Sequence, residues 1–372
     1  MKMKHSIALG ILALASVPAI AQDSDIQKAI AAVQSVQLNG QGNADAVKAM
    51  KVLNAAGADQ ILPMLKGMAG TNSISANWLR AAVNGAASRA GEGIPIDDLK
   101  SFFADKSNDG KARLMAMQII CKADESFFDK TVASLTDDPA MPLREIGVQS
   151  LIDQANAIED DDEKKRPFLD AAFENARDVE QVTAIGKALN AMGQEIDLAK
   201  HLGMLTKWKL LSGFDNKDMG GFDVEYGPEG SPLEIKESYD GAMDGTAKWV
   251  EGTATDDSLG KVDLNKIIGN KKGIIAYASR TYSSPMAGQA EVRIATQNAH
   301  KIWLNGEEVM SNEIYHNSNS VDKFTAPIKL KEGKNELLIK LCQNEQRQPW
   351  AQEWGFQVRI CDATGKAIQE AE

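Results

Sequence analysis

Residues 300–308 read His-Lys-Ile-Trp-Leu-Asn-Gly-Glu-Glu and predict a tight β-hairpin. Asn305-Gly306 separates two short apolar runs, and Asn followed by Gly readily adopts the positive φ angles of a type I′ turn. Because side chains alternate between the faces of a strand, Ile302 and Trp303 must point to opposite faces. Counting outward from the turn predicts three cross-strand pairs, which are Leu304 with Glu307, Trp303 with Glu308, and Ile302 with Val309.

The chain around this hairpin has the pattern of an antiparallel β-sandwich. Gly, Pro and aromatic residues become frequent after Trp208, and short apolar runs alternate with turn residues. Other strands are predicted at 207–216, 246–252, 274–279, 290–296, 325–330, 335–342 and 354–361. Alternation in the last two strands predicts two apolar faces, one of Leu337, Ile339 and Leu341 and one of Phe356, Val358 and Ile360. We expect a sandwich over 204–366 and a C-terminal tail at 367–372.

The preceding part of the chain, 25–203, is predicted to be helical. Apolar residues recur there at spacings of three and four, and no segment alternates as a strand does. A chain of 372 residues exceeds the usual size of a single core, so a separate helical domain is expected. The longer helices are predicted at 75–90, 96–104, 110–123, 126–135, 142–157, 163–177 and 179–192. Short links between them favour an α-solenoid of stacked helix pairs over a compact bundle.

An internal repeat supports this stack. Asp105 precedes Arg113, and about 31 to 33 residues later Asp138 precedes Arg144, each Arg beginning an apolar helix face. This arrangement is typical of HEAT repeats, in which the Arg of one helix reaches the Asp of a neighbouring link. The helices between 163 and 192 match tetratricopeptide pairs equally well, so the repeat family stays open.

Residues 1–21 have the pattern of a signal peptide. Lys2 and Lys4 precede an apolar run from Ile7 to Val17, and small residues end the segment at Ala21. The run is too short to span a bilayer, and no Cys follows it to carry a lipid. We expect cleavage near Ala21 and export to the periplasm or beyond, with no membrane span.

The charge balance argues against a nucleic-acid partner. The chain carries 52 acidic and 41 basic residues, for a formal net charge of −11. Nucleic-acid binding requires a basic surface that neutralises phosphates, which this composition does not favour. Solubility is the simplest explanation of the acidity.

The C-terminal half resembles the galactose-binding-like jelly roll shared by carbohydrate-binding modules and glycosidase domains. The resemblance is carried by three segments, which are the hairpin at 302–307, the turn and strand at 330–340 and Trp354-Gly355-Phe356. The whole arrangement also looks like a group of large secreted bacterial proteins that join HEAT-like helical repeats to such a domain and have no assigned activity. Ser212 departs from that group, which more often has Pro in this turn. The resemblance implies a jelly-roll sandwich and leaves the ligand open.

Segment 343–354 is the first candidate binding loop. It is rich in amides and contains two Trp residues. Sugar sites combine an aromatic ring against the apolar face of a pyranose with polar groups that bind its hydroxyls. The candidate ligand-binding residues here are Asn344, Glu345, Arg347 and Trp350. The alternative is a loop of solvated turn residues pinned by Trp350. Trp354 is predicted to belong to the core.

Segment 314–320, which follows the hairpin, is the second candidate loop. It contributes Tyr315, His316 and Asn317 as candidate ligand-binding residues. A lone loop histidine is more often simply exposed, and that alternative stays open for His316. Trp303 is a further candidate because it faces away from Ile302. It is either a platform for a ligand or a side chain packed beneath a neighbouring loop.

The cysteines and acidic loop residues leave two further questions open. Cys342 and Cys361 end the last two predicted strands, and in an exported protein they form either a disulfide or two free thiols. Cys121 is expected to be a core residue of a helix. No metal site is predicted, because His and Cys lack zinc-ligand spacing. A structural Ca²⁺ bound by acidic loop residues between 240 and 263 is kept as an alternative, although no spacing matches a calcium loop.

No catalytic residue is predicted. The sequence lacks a Gly-x-Ser-x-Gly elbow and a phosphate-binding Gly-rich loop. We expect an exported, non-catalytic binding or scaffold protein whose sandwich contacts a polysaccharide or glycoprotein and whose helical repeats contact a protein. Two alternatives stay open, which are a structural envelope component without a small ligand and an accessory component of polysaccharide degradation.

Overall fold

The computed structural model describes residues 19–37, 39–230, 233, 235–255 and 259–371. The predicted signal peptide at 1–21 lies almost entirely outside the described residues. Contacts divide the chain into two compact units, one ending at Leu143 and the other beginning at Arg144. The sequence predicted its domain boundary at 203/204, where helix gives way to strand, so the second unit contains helices as well as the sandwich.

Helices fill the described chain up to residue 201, as predicted. They are α1 Ala19–Gln34, α2 Asn43–Leu53, α3 Ile61–Lys66, α4 Ser73–Ala90, α5 Ile96–Ala104, α6 Gly110–Ala123, α7 Ser126–Thr131, α8 Met141–Asn156, α9 Asp162–Asn175, α10 Val179–Ala191 and α11 Leu198–His201. Several begin at side chains that accept hydrogen bonds from free backbone amides of the first turn, which are Asn72, Asp109, Asp161, Asp178 and Asp197. These caps explain where the helical periodicity starts.

A buried ion pair joins α6 to a later link within the first unit. Both terminal nitrogens of Arg113 donate to the carboxylate of Asp138, each at 2.8 Å, and both side chains are fully buried. The predicted contact between a helix Arg and the Asp of a neighbouring link is confirmed for this pair. Arg144, the second Arg of the repeat, donates to the backbone carbonyl of Asn175 at 3.2 Å.

The second unit adds a sandwich of antiparallel sheets. Its strands are β1 Lys207–Asp215, β2 Ser238–Ala242, β3 Gly245–Lys248, β4 Val250–Thr253, β5 Val262–Asp263, β6 Ile274–Ser284, β7 Gly288–Ala295, β8 Ala299–Leu304, β9 Glu307–Asn312, β10 Phe324–Leu330, β11 Gly333–Gln343 and β12 Gly355–Cys361, with a short helix α12 at Leu264–Ile267. One sheet has the order β4-β1-β6-β11-β8-β9, the other β10-β7-β12-β5, and β2 pairs with β3. The predicted strand at 246–252 is divided at Trp249 into β3 and β4, which belong to different sheets.

The core between the two large sheets follows the predicted alternation. Its members include both predicted apolar faces, which are Leu337, Ile339 and Leu341 on β11 and Phe356, Val358 and Ile360 on β12. Burial of these alternating side chains fixes the register, because a slip of one residue would turn every one of them to the opposite face. The last helices have a core of their own, which contains Leu169, Val182 and Leu189 and continues to Met204 beside the sandwich.

The hairpin forms as predicted at its turn but differs in register beyond it. Asn305 and Gly306 both have positive φ, 53° and 89°, and Trp303 pairs with Glu308. A β-bulge then shifts the pairing, so that Ile302 lies opposite Met310 and not Val309. The predicted Ile302–Val309 pair was therefore wrong. The bulge lets both Val309 and Met310 pack against the sandwich core, which explains why the extra residue is tolerated.

A second apolar layer covers the outer face of the six-stranded sheet. Residues from the long connection between β1 and β4, including Phe222, Tyr239 and Ala247, pack on this face. Below them the ammonium of Lys340, on β11, donates to a carboxylate oxygen of Glu229 at 2.9 Å and to the Val224 carbonyl at 2.7 Å. A fully buried lysine thus ties the connection to the sheet.

Candidate ligand-binding site

Three loops meet at one end of the sandwich. They follow β1, β9 and β11, whose C-terminal ends lie at the same end of the six-stranded sheet because β1 and β11 both run antiparallel to β6, and β9 and β11 both run antiparallel to β8. We call their polar and aromatic residues the loop-end cluster, which comprises Asn216, Tyr315, His316, Asn344, Glu345 and Trp350.

Asn216 holds the three loops together. Its side chain is fully buried, and its amide nitrogen donates to the Tyr315 hydroxyl and to the Gln343 carbonyl, each at 3.1 Å. Its amide oxygen accepts from the Gly221 backbone at 3.2 Å. A buried amide that satisfies its polar atoms in this way specifies a single loop arrangement. Burial raises the pKa of Tyr315 to about 12, so its phenol stays neutral.

His316 connects the two predicted candidate loops. The buried amide of Asn344 donates to Nε2 of His316 at 2.9 Å, which leaves the proton of the neutral ring on Nδ1. That Nδ1 is buried and has no hydrogen-bond partner among the described residues. His316 also has a φ of 58°, a conformation uncommon for residues other than glycine. Backbone outliers of this kind concentrate at functional sites and ligand clamps.

Trp350 is the exposed member of the cluster. Its side chain packs edge to face with His316, with ring centroids 4.9 Å apart, yet the residue is 58% exposed. It lies in a single 3₁₀ turn, Pro349–Ala351, whose last residue is fully buried. The proline and the buried alanine fix the backbone of this turn. The indole is therefore exposed on an ordered turn and not on a mobile loop.

Two charged side chains form hydrogen bonds with the backbone of these loops. The carboxylate of Glu345 accepts a hydrogen bond from the Asp218 amide, in the loop after β1. Lys272 donates to the Ala351 carbonyl at 2.7 Å. Its pKa is lowered by burial and, secondarily, by the charge of the nearby Arg347. The cluster thus combines an exposed aromatic ring with amide and carboxylate groups, and Lys272 adds a cation at the same end of the sandwich.

The remaining predicted site residues lie outside the cluster or at its margin. Asn317 accepts from the Ser318 amide at 2.7 Å and stabilises the loop after β9 from within. Trp303 is only 7% exposed and packs in the outer apolar layer. Its prediction as a ligand platform was wrong, because the β1–β4 connection covers this face of the sheet. Trp354 is buried in the sandwich core, as predicted.

The suggested disulfide between Cys342 and Cys361 is not formed. Both thiols are free and buried. Cys342 lies on β11 of the six-stranded sheet with its side chain in the outer layer, whereas Cys361 ends β12 of the other sheet. The two thiols are kept apart by the topology, since β11 and β12 do not form the hairpin that their succession suggests. Cys121, the third cysteine, is also free.

Among the residues that the structure describes, no three His, Cys, Asp or Glu side chains lie close enough together to hold a metal ion. None of the described helices has both the length and the apolar character required to cross a membrane.

Sequence reasoning missed Asn216, Asp218 and Lys272. Asn216 follows the strand β1 directly and precedes a Gly-rich turn, which was the available signal for a loop-end residue. Its importance depends on contacts with residues about a hundred positions further along the chain, which no local pattern reports. Lys272 likewise reaches segment 343–354 only through the pairing of β6 with β11.

Comparison with known proteins shows no family. No protein-family model matches the chain. No curated protein matches it.

Solved structures show limited similarity. One is a CBM35 from Paenibacillus barcinonensis, 19% identical over 28% of this chain and 79% of that chain, with a TM-score of 0.20. A second is a β-glucosidase from Kluyveromyces marxianus, 16% identical over 41% of this chain and 16% of that chain, with a TM-score of 0.25. A third is a β-glucuronidase from an uncultured Clostridium sp., 12% identical over 43% of this chain and 28% of that chain, with a TM-score of 0.25. The chain spans less than a third of the length of both enzymes. TM-scores this low carry no argument about fold or function.

Proposed function

We propose that the second unit is a non-catalytic carbohydrate-binding module whose site is the loop-end cluster. The observation that carries the proposal is the exposure of Trp350 on an anchored turn, beside buried amides that fix its neighbours. A pyranose presents an apolar face of C–H groups, which packs on an indole, and hydroxyls that amide and carboxylate groups bind. Because the loops are already ordered by Asn216, little conformational entropy is lost on binding.

A glycan array probed with the full chain tests this proposal. We expect the unmodified chain to bind a subset of polysaccharides and Trp350→Ala to lose the signal. The matched control is Met286→Ala, which removes another exposed apolar side chain, 53% exposed, from the connection between β6 and β7 at the opposite end of the sandwich. Absence of binding by the unmodified chain, or equal binding by both variants, contradicts the proposal.

The second part of the proposal is that the helical repeats bind a protein partner. The helices of the first unit would stack as HEAT-type pairs, and the Arg113–Asp138 contact supports this arrangement. A stack of repeats is stabilised mainly between neighbours, so hydrogen exchange should rise gradually toward a terminal pair. A single cooperative opening of all helices would instead indicate a compact bundle.

Crosslinking in envelope extract, with the full chain as bait, tests for the protein partner.

The proposal also includes export of the chain and a lack of catalytic activity. Incubation with the polysaccharides bound on the array should release no reducing sugar. Release that disappears on substitution of a single carboxylate would instead establish a hydrolase. Export predicts a mature chain beginning at Gln22, which N-terminal sequencing of the envelope and culture fractions would detect.

A further inference from the structure

A cleft of about 470 Å³ lies in the second unit between its last helices and the end of β12. Its walls include Phe173 near the end of α9, Arg177 in the following link, His201 at the end of α11, Arg359 on β12 and Lys366 in the C-terminal segment. A volume of this size is typical of small-molecule sites. The cleft shares no residue with the loop-end cluster, which lies at the other end of β12.

The two arginines of the cleft differ in how their charge is balanced. Arg359 is buried and forms an ion pair with Asp322 through two of its nitrogens, so its charge is compensated within the protein. Arg177 donates from Nη1 to the backbone carbonyls of Glu174 and Ala176, at 2.8 and 2.7 Å. Among the described residues no carboxylate lies within ion-pair distance of Arg177, and its Nε is buried without a hydrogen-bond partner.

The environment of Arg177 favours an anion. Burial lowers the pKa of Arg177, and the positive charge of Arg144 lowers it further, whereas the carboxylates of Asp362 and Glu174 partly oppose this shift without forming an ion pair. A partly buried cation without a carboxylate partner is costly, and a bound anion would reduce that cost. Three acidic residues also line the cleft, but Glu174, Glu195 and Asp197 are exposed and their charges are largely screened by water. Asp197 is also engaged in capping α11.

An aromatic wall faces the rest of the cleft. The rings of Phe173 and His201 stack at a centroid distance of 4.0 Å, with 32° between their planes. Burial lowers the pKa of His201, and the charge of Arg177 adds to the shift, so the imidazole is neutral at pH 7. His201 is therefore part of an aromatic surface and not a second cation. Ile196 and Leu202 extend this apolar surface.

We propose that this cleft binds a small organic monocarboxylate. The carboxylate accepts hydrogen bonds from the free edge of the Arg177 guanidinium, and the apolar or aromatic body of the ligand packs against Phe173 and His201. Arginine suits this role because its planar fork matches a carboxylate.

Calorimetric titration of the full chain with benzoate and with benzamide tests the proposal. The two probes have nearly the same shape and differ in charge. We expect one benzoate per chain and benzamide binding weaker by at least about tenfold, since a charge-assisted bond is lost. Arg177→Gln should remove benzoate binding, whereas Arg80→Gln, which deletes an exposed arginine of α4, should leave it unchanged.

Thermal melting and circular dichroism establish that each variant is folded. If Arg177→Gln does not fold, Phe173→Leu provides the second variant, because it keeps the cation and removes part of the aromatic wall. It should weaken benzoate binding. Equal affinity for benzoate and benzamide, unchanged benzoate binding by whichever of these variants is folded, or no saturable binding by about 10 mM benzoate overturns the proposal.

Discussion

Trp350 meets His316 edge to face, with ring centroids 4.9 Å apart and ring planes at 88°. Trp350 comes from the loop after β11 and His316 from the loop after β9. The Asn344 amide, which belongs to the same loop as Trp350, donates a hydrogen bond to the imidazole. The contact supports the exposed indole without covering it. An aromatic platform for a ligand requires both properties, since the ring must be ordered and accessible.

Removal of the imidazole should weaken saccharide binding less than removal of the indole. In His316→Ala the Trp350 ring keeps its own turn but loses its supporting contact, so we expect a several-fold loss of affinity, against a complete loss in Trp350→Ala. The free energy of unfolding should change by no more than about 1 kcal/mol, because loop residues away from a core contribute little. Calorimetry with a saccharide found on the array, together with chemical denaturation, measures both effects. A loss in His316→Ala equal to that in Trp350→Ala would make His316 a direct ligand contact.

Lys340→Met should release the connection between β1 and β4 from the outer face of the sheet. The substitution leaves the Glu229 carboxylate without its ammonium partner and removes the donor to the Val224 carbonyl. Breaking one side of a buried ion pair costs about 3–5 kcal/mol. Hydrogen exchange followed by mass spectrometry should show faster exchange at 222–230 than in the unmodified chain. Lys334→Met, at an exposed position of the same strand, is the control. Unchanged exchange in Lys340→Met would contradict the role of this lysine.

The first unit should become less stable in acid, because the Asp138 carboxylate is then protonated. Burial alone raises the pKa of this carboxyl, but hydrogen bonds from Arg113 and the Ala140 amide outweigh it, and the pKa is lowered below its usual value. A lowered folded-state pKa stabilises the protein above the unfolded value of about 4, and this stabilisation is lost as the pH falls from there through the folded-state pKa. Urea unfolding followed by circular dichroism at pH 7, 5 and 3.5 should show little change between the first two and a decrease at the third.

The Asp138→Asn variant should have a smaller decrease between pH 5 and 3.5, and should be less stable at pH 7 by about 3–5 kcal/mol, because Arg113 then keeps a buried charge. The double variant Arg113→Met with Asp138→Leu removes both charges and should recover part of this loss. A double variant no more stable than Asp138→Asn would indicate that packing, and not charge, dominates at this position.

The buried cysteines should be unreactive while the protein is folded. Burial raises the pKa of Cys342 to about 12 and that of Cys361 to about 11, so almost no thiolate is present at pH 8. Labelling with a thiol reagent at pH 8 should modify neither residue, and addition of denaturant should expose both. Cys121, which is partly exposed, serves as the internal comparison. Detection of a peptide crosslinked through Cys342 and Cys361 would contradict the two-sheet placement of these thiols.

The sequence by itself determined the local elements. Helical spacing before residue 203 and alternation after it predicted helices and strands because each side chain's face depends only on its own strand or helix. Asn305-Gly306 specified its turn through backbone preference alone, and the predicted faces of β11 and β12 are the faces that are buried. The Asp and Arg of the repeat predicted the Arg113–Asp138 contact, because a repeat places equivalent positions of adjacent units next to each other.

The tertiary structure decided what depends on distant pairing. Only the assignment of β11 and β12 to different sheets separates Cys342 from Cys361, and only the β1–β4 connection buries Trp303. The bulge beside Ile302 arises because Met310 and Val309 both find space in the core, a packing outcome that turn chemistry does not specify. Likewise, the cleft around Arg177 exists because helices and sandwich belong to one compact unit. These features depend on which surfaces meet, and that information is distributed along the whole chain.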